Sequence, residues 1–285
     1  SNIPHNFGYR KIDANNLRFD SNQKIDSAIS LLEIFENTKD FAAQLTTKSP
    51  IDDQYKTLNS DIGFIDPSSE EFSTIEKLIS YTRATNHSFL GKIKLNRAFS
   101  LRRNNEDKLF ISLVDEIAKK SNGRVIPSLL QKFWNERKAQ TDDLEKMFEK
   151  ANVLPLFHGT RTPNILSVIS RGLLVKHDKI GSSGSMYGAN ALYFGFSSKS
   201  LNYTSAKGSY WASGADKYGY MFLSDVALGT PKVATGSSNY SWNSIQPHHS
   251  VWAKGGYSGV INDEFMTYRT GQNHLKYILE IECKA

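Results

Sequence analysis

Apolar residues recur at helical spacing in the first half of the chain and in short strand-like runs in the second. Between residues 21 and 45, Ile25, Ile29, Leu32, Phe35 and Leu45 fall near a helical period behind Ser21 or Asn22 as a cap, which predicts one long amphipathic helix. TTKSPIDD (46–53) is a polar break, and YKTLNSDIGFID after it reads as a strand. Pro67-Ser68-Ser69-Glu70-Glu71 then opens a helix to about Thr85. SFLGKIKLNRAFSLRR (88–103) alternates as a long strand does. Two further helices are predicted over 106–120 and 126–150, the second with an apolar stripe of Leu129, Leu130, Phe133, Trp134, Leu144, Met147 and Phe148.

Beyond Val153 the texture becomes short β runs between Gly, Ser and Asn turns: LPLFHG, ALYFGF, KYGYMFLSDVALG and the final HLKYILEIE. Short helices fit 163–171, ahead of Gly172, and 197–204. SGADKYG and SSNYSWNSIQPHHS read as surface loops. The fold class is therefore α+β, with a helical N-terminal part abutting a mainly antiparallel sheet.

Composition sharpens that division. Residues 1–150 carry 22 of the 29 acids and 4 of the 19 glycines, whereas 151–285 carry 7 acids and 15 glycines. Of the formal charge of +6, the second part holds +5. An acid-poor cleft there would favour an anionic ligand, and each carboxylate in it becomes conspicuous. The single cysteine, Cys283, excludes an internal disulfide and a cysteine-based zinc site, and points to a reducing compartment. No apolar run approaches a membrane span and the opening residues do not resemble a signal peptide, so no membrane association and no secretion are expected.

Three residues could carry chemistry. His158 in LFHGT ends an apolar strand beside a glycine, Tyr193 lies in ALYFGFSSKSLNY, and Glu264 in INDEFMTY is one of few acids in its half. Taken singly, each has a plainer reading: a structural histidine, a core aromatic, and a solvated edge or capping acid. His248-His249 in a polar loop reads as solvated, not metal-binding.

Their order changes those odds. HGTR, then LYF with SKSLNY, then YMFLSDVALG, then NDEFMTY with QNHLKYILEIE, resembles the catalytic domain of the poly(ADP-ribose) polymerases, the diphtheria-toxin-like ADP-ribosyltransferases. IPHNFGYRK and SPIDDQYKTLNSDIGFID extend the resemblance to the DNA-damage-responsive branch. It implies an ADP-ribosyltransferase fold preceded by a partial helical regulatory segment: 1–48 as the end of that helical domain, and 49–285 as the catalytic domain with a helical insertion at about 106–152. NAD is then a substrate, and no metal is needed.

Carried over by position, the resemblance makes His158, Tyr193 and Glu264 the catalytic triad. His158 would bond the adenosine ribose. The Gly159 backbone and Ser200 would pair with the nicotinamide carboxamide, Tyr203 and Tyr193 would flank its ring, and Glu264 would bond the adjacent ribose. Thr160 and Asn164 match positions on the adenosine side, Lys199 the basic residue beside the acceptor, and Met186 a position bordering the acceptor groove. An acid at 264 accompanies chain-forming members, which favours polymer over single transfers or an inactive NAD-binding scaffold. Gly188-Ala189-Asn190-Ala191 departs from the family's tighter run, and the loop Val175–Gly184 looks short. The insertion would cover the acceptor side or bind a partner.

The implied partners are NAD and protein acceptors, the chain itself included; DNA would be reached only through domains outside the sequence. The implied location is nuclear in a eukaryote and otherwise cytoplasmic. Glu33 and Asn37 would face the NAD site from the helix at 21–45. Because only that last helix of the regulatory domain is present, activity without DNA is expected.

Overall fold

A computed structural model of the chain describes residues 60–83, 92–103, 106–136, 142–175, 186–206 and 216–284. The helix expected at 21–45, with Glu33 and Asn37, and the loop at 176–185 lie outside the described residues, and the domain boundary at residue 48 stays an expectation.

In chain order the strands are β1 (Ser60–Phe64), β2 (Lys92–Arg103), β3 (Val153–Thr160), β4 (Leu192–Gly195), β5 (Tyr218–Ala227), β6 (Pro231–Val233), β7 (Ser250–Ala253), β8 (Glu264–Thr267) and β9 (Asn273–Lys284). They form one sheet in the order β1-β2-β9-β5-β3-β4-β8-β7-β6. Every pairing is antiparallel apart from β6 with β7. The α+β class and the mainly antiparallel sheet are thus as the pattern predicted.

The helices are α1 (Glu70–Tyr81), α2 (Glu106–Ala118), α3 (Ser128–Asn135), α4 (Asp143–Lys150), α5 (Ile165–Arg171) and α6 (Ser197–Leu201). α1 begins where its sequence dictates. The Ser69 hydroxyl accepts from the Phe72 N–H at 3.1 Å, and Glu70 and Glu71 sit against the positive end of the helix dipole. It buries Phe72, Ile75, Leu78 and Ile79 on one face. It ends at Tyr81, short of the expected Thr85, with Thr82 at the C-cap donating its hydroxyl to the Leu78 carbonyl at 2.7 Å.

The single helix expected over 126–150 is two helices. Asp142 starts the second by accepting the Glu145 N–H at 2.8 Å, a capping geometry that a continuous helix could not form. α3 packs on α1 and adds Leu130 and Phe133 to the main core. α2 and α4 build a separate core from Phe110, Leu113, Val114, Ile117 and Phe148 around Val153 and Ala227. Those last two residues pair at the start of β3 and the end of β5, the opposite end of those strands from His158. Helices α2 and α4 therefore brace the end of β3 and β5 that lies away from His158.

The segment 237–250 is a loop, but not merely a surface one. Ile245 is fully buried with Tyr187, Val251 and Met266 in a third core. His249 is buried as well, and its Nδ1 accepts the Thr230 N–H at 3.0 Å, which replaces the expectation of a solvated His248-His249 pair by one inward histidine.

Candidate active site

β3, β4 and β8 lie side by side, with Phe157, Gly195 and Glu264 in one row across them. Glu264 is the first residue of β8, opposite Gly195 of β4 and Ala253 of β7. Tyr193 pairs with Met266, so Tyr193 and Glu264 occupy neighbouring rungs on one face of the ladder. Glu264 is only 8 % exposed, which overturns the plainer reading of a solvated edge acid. A carboxylate that deep needs a partner, and Lys199 of α6 supplies it, with Nζ 2.9 Å from Oε1. The same ammonium reaches the Asn262 carbonyl at 3.5 Å.

His158 ties β3 to β4. Its Nδ1 lies 2.7 Å from the Tyr193 carbonyl, which can only accept, so Nδ1 carries the hydrogen and Nε2 presents a lone pair. Burial pushes the imidazole below its ordinary pKa and outweighs that hydrogen bond. The ring is therefore a neutral acceptor suited to a sugar hydroxyl.

Tyr193 fixes the preceding segment. Its hydroxyl accepts the Tyr187 N–H at 3.1 Å and donates to the Gly188 carbonyl at 3.2 Å. Burial raises its pKa to about 12, with Glu264 adding to the rise, so the phenol stays protonated. Tyr268 donates to the Tyr187 carbonyl at 2.7 Å, and the Met186 carbonyl accepts from Ser237 and Ser238. Gly188 has φ +121°, and a side chain there would strike the Tyr240 carbonyl. This turn holds Met186 43 % exposed.

Gly159 and Ser200 are in close approach: a Cβ on Gly159 would lie 1.7 Å from the Ser200 carbonyl oxygen. The Ser200 hydroxyl donates to the Phe157 carbonyl at 3.1 Å, which clamps α6 onto β3. Tyr203 follows α6 and is 40 % exposed, with burial and the Glu264 charge both raising its pKa. Asn164 donates to the Thr160 hydroxyl at 3.2 Å at the other end of the row. His158, Gly159 and Thr160 thus lie on β3, Tyr193 on β4 and Glu264 at the start of β8, with Asn164, Lys199, Ser200 and Tyr203 on or beside the short helices that follow β3 and β4.

Sequence reading passed over Tyr187, whose backbone is held from both sides, and Asp263. The latter accepts from Trp252 Nε1 at 3.1 Å and from the Gly255 N–H at 2.7 Å. Two adjacent acids in an acid-poor half were the signal available for it.

Comparison with known proteins bears on this arrangement. The family described as "Poly(ADP-ribose) polymerase catalytic domain" matches residues 69–259. This chain belongs to that family. Among the described residues no group of three or more His, Cys, Asp or Glu could hold a metal. Poly [ADP-ribose] polymerase 1 of Gallus gallus is 25 % identical over 98 % of this chain and 26 % of its own length. Poly [ADP-ribose] polymerase 2 of Homo sapiens is 22 % identical over 98 % of this chain and 46 % of its own length. The chain thus spans about a quarter to a half of these relatives. The family match ends at residue 259, ahead of Glu264.

Proposed function

We propose that this chain is the catalytic portion of a protein ADP-ribosyltransferase that moves ADP-ribose from NAD to protein acceptors and extends it into chains. The observation that carries the reading is the buried Glu264 carboxylate paired to Lys199 beside Tyr193. Cleaving the bond between ribose C1′ and nicotinamide sends its electron pair to the ring nitrogen, which leaves neutral, and puts positive charge on the sugar. A fixed carboxylate stabilises charge that exists only as the bond breaks. The acceptor oxygen then bonds C1′, and where it is a hydroxyl its proton passes to water. Glu264 accepts a hydrogen bond from the ribose 2′-hydroxyl and polarises an incoming ADP-ribose hydroxyl during elongation.

In this reading His158 holds the adenosine ribose through Nε2, with Thr160 and Asn164 lining that side. Gly159 and Ser200 hold the carboxamide, and Tyr193 and Tyr203 flank the nicotinamide ring. Lys199 stands beside the acceptor. A role in the DNA-damage response, a nuclear or otherwise cytoplasmic location, and contact with DNA only through further domains belong to the same proposal. The test is incubation with labelled NAD, without nucleic acid, followed by a denaturing gel. A smear supports chain formation. One sharp band limits the protein to single transfers, and strict dependence on nicked DNA removes the expectation of DNA-independent activity. An unlabelled chain that still binds NAD would make it a scaffold.

A further inference from the structure

Glu264 is the last paired residue at its end of β8, so the ladder restrains it from one side only. The residue before it carries no strand pairing, yet Asp263 spends both carboxylate oxygens on the connection from β7. Oδ2 accepts from the Trp252 indole at 3.1 Å and Oδ1 from the Gly255 N–H at 2.7 Å. Both donors belong to structure already fixed. Trp252 pairs with Phe265 in register and stacks on it at 5.7 Å, and Lys254 lies 4.5 Å over the indole. Gly255 bridges to Val260, and the Gly256 N–H donates to the Val260 carbonyl at 2.7 Å. A side chain at Gly255 would meet the Ile261 carbonyl at 2.6 Å, so the returning backbone passes against it.

We propose that Asp263 is a positioning residue for the transfer reaction: its two hydrogen bonds lock the 254–263 connection so that Glu264 and the Asn262 carbonyl together hold Lys199. The inference rests on Glu264 acting as the proposed function describes. The connection brings two contacts to one ammonium from residues two apart, Oε1 of Glu264 at 2.9 Å and the Asn262 carbonyl at 3.5 Å. Asp263 lies between them. Freeing its side chain lets this peptide rotate, which moves the Lys199 pair and the carboxylate without touching His158, Gly159 or Ser200. A displacement of the order of 1 Å in a group that acts on the transition state costs rate more than substrate binding.

The chemistry of the clamp supplies a specific test. Asn in place of Asp can accept from Gly255 but turns an NH2 toward the Trp252 N–H, donor against donor. Removing the indole N–H relieves that conflict. Wild type, Asp263→Asn, Asp263→Ala, Trp252→Phe and the double variant Asp263→Asn with Trp252→Phe are compared for nicotinamide release, giving kcat and KM for NAD separately. Expected are a fall in kcat of about tenfold or more for Asp263→Asn and Asp263→Ala with KM within about twofold, and recovery of the double variant to the level of Trp252→Phe alone. Wild-type kcat in both single variants overturns the inference, as does a loss expressed in KM or a double variant no better than Asp263→Asn. A wild-type chain that releases no nicotinamide from NAD, or a Glu264→Gln variant as active as wild type, sinks the functional reading instead, and the two failures are told apart.

Discussion

Lys199 Nζ and Glu264 Oε1 are 2.9 Å apart, with both side chains largely withdrawn from water. Such a pair is costly to break from one side, because the remaining charge keeps its desolvation penalty and loses its partner. Glu264→Gln is expected to lower nicotinamide release by about 10²-fold or more, the usual effect of removing one electrostatic contact to a developing charge, and to abolish elongation while NAD still binds. Long polymers from that variant, seen on the labelled gel, would contradict the role. Lys199→Met should lower the melting temperature more than the double variant Lys199→Met with Glu264→Gln, since the latter leaves no buried carboxylate charge unpaired.

Gly159→Ala places a methyl carbon where the Ser200 carbonyl oxygen already lies, at 1.7 Å in the unrelaxed backbone. Backbone cannot step aside as a side-chain tip can. The expected cost is about 1–3 kcal/mol or more in denaturant unfolding, together with lost NAD binding as α6 is pushed off β3. Unchanged NAD affinity would show that the close approach is incidental.

Tyr193→Phe leaves the Tyr187 N–H without the oxygen that accepts it at 3.1 Å. An unpaired, partly buried N–H costs about 1–3 kcal/mol. The same change frees the Gly188 carbonyl, so faster hydrogen exchange at Tyr187 is expected beside a lower melting temperature, measured by mass spectrometry and calorimetry.

Between pH 7.5 and 5.5 stability should fall. Burial lowers the folded-state pKa of His158 and of His249, so each takes up its proton more readily in the unfolded chain, whose imidazoles titrate at about 6.5. The unfolded state then binds more protons as the pH drops through that value, which lowers the unfolding free energy. Glu280 does not confuse this window. Burial works against its carboxylate, but hydrogen bonds from Arg97 and Tyr220 outweigh it and hold the pKa below the ordinary carboxylate range, so its contribution is lost only at lower pH. A melting temperature that stays level from pH 7.5 to 5.5, or rises, would contradict the assignment of both histidines as neutral in the fold.

Much of the fold was legible because it rests on local signals. LPLFHG, ALYFGF, KYGYMFLSDVALG and HLKYILEIE became β3, β4, β5 and β9, and Ser69 marked the start of α1. The break between α3 and α4 was hidden because residues 136–142 contain neither Gly nor Pro, and a lone Asp142 cap was the only cue. The buried states of Glu264 and His249 were not legible, since Lys199 and Thr230 are remote in sequence and the solvated reading of each is locally the cheaper one. Asp263 was missed for the same reason: its donors are an indole and a backbone amide that only the β7–β8 connection brings together.

Among the described residues the strand order of the sheet ends on β6. β6 is three residues long, begins with Pro231, which has no N–H to offer, and continues with Lys232. Such an edge is a poor template for another chain. Unwanted strand addition is thereby discouraged at β6, so Lys232→Val, which removes the charge from that strand, should lower solubility at high concentration.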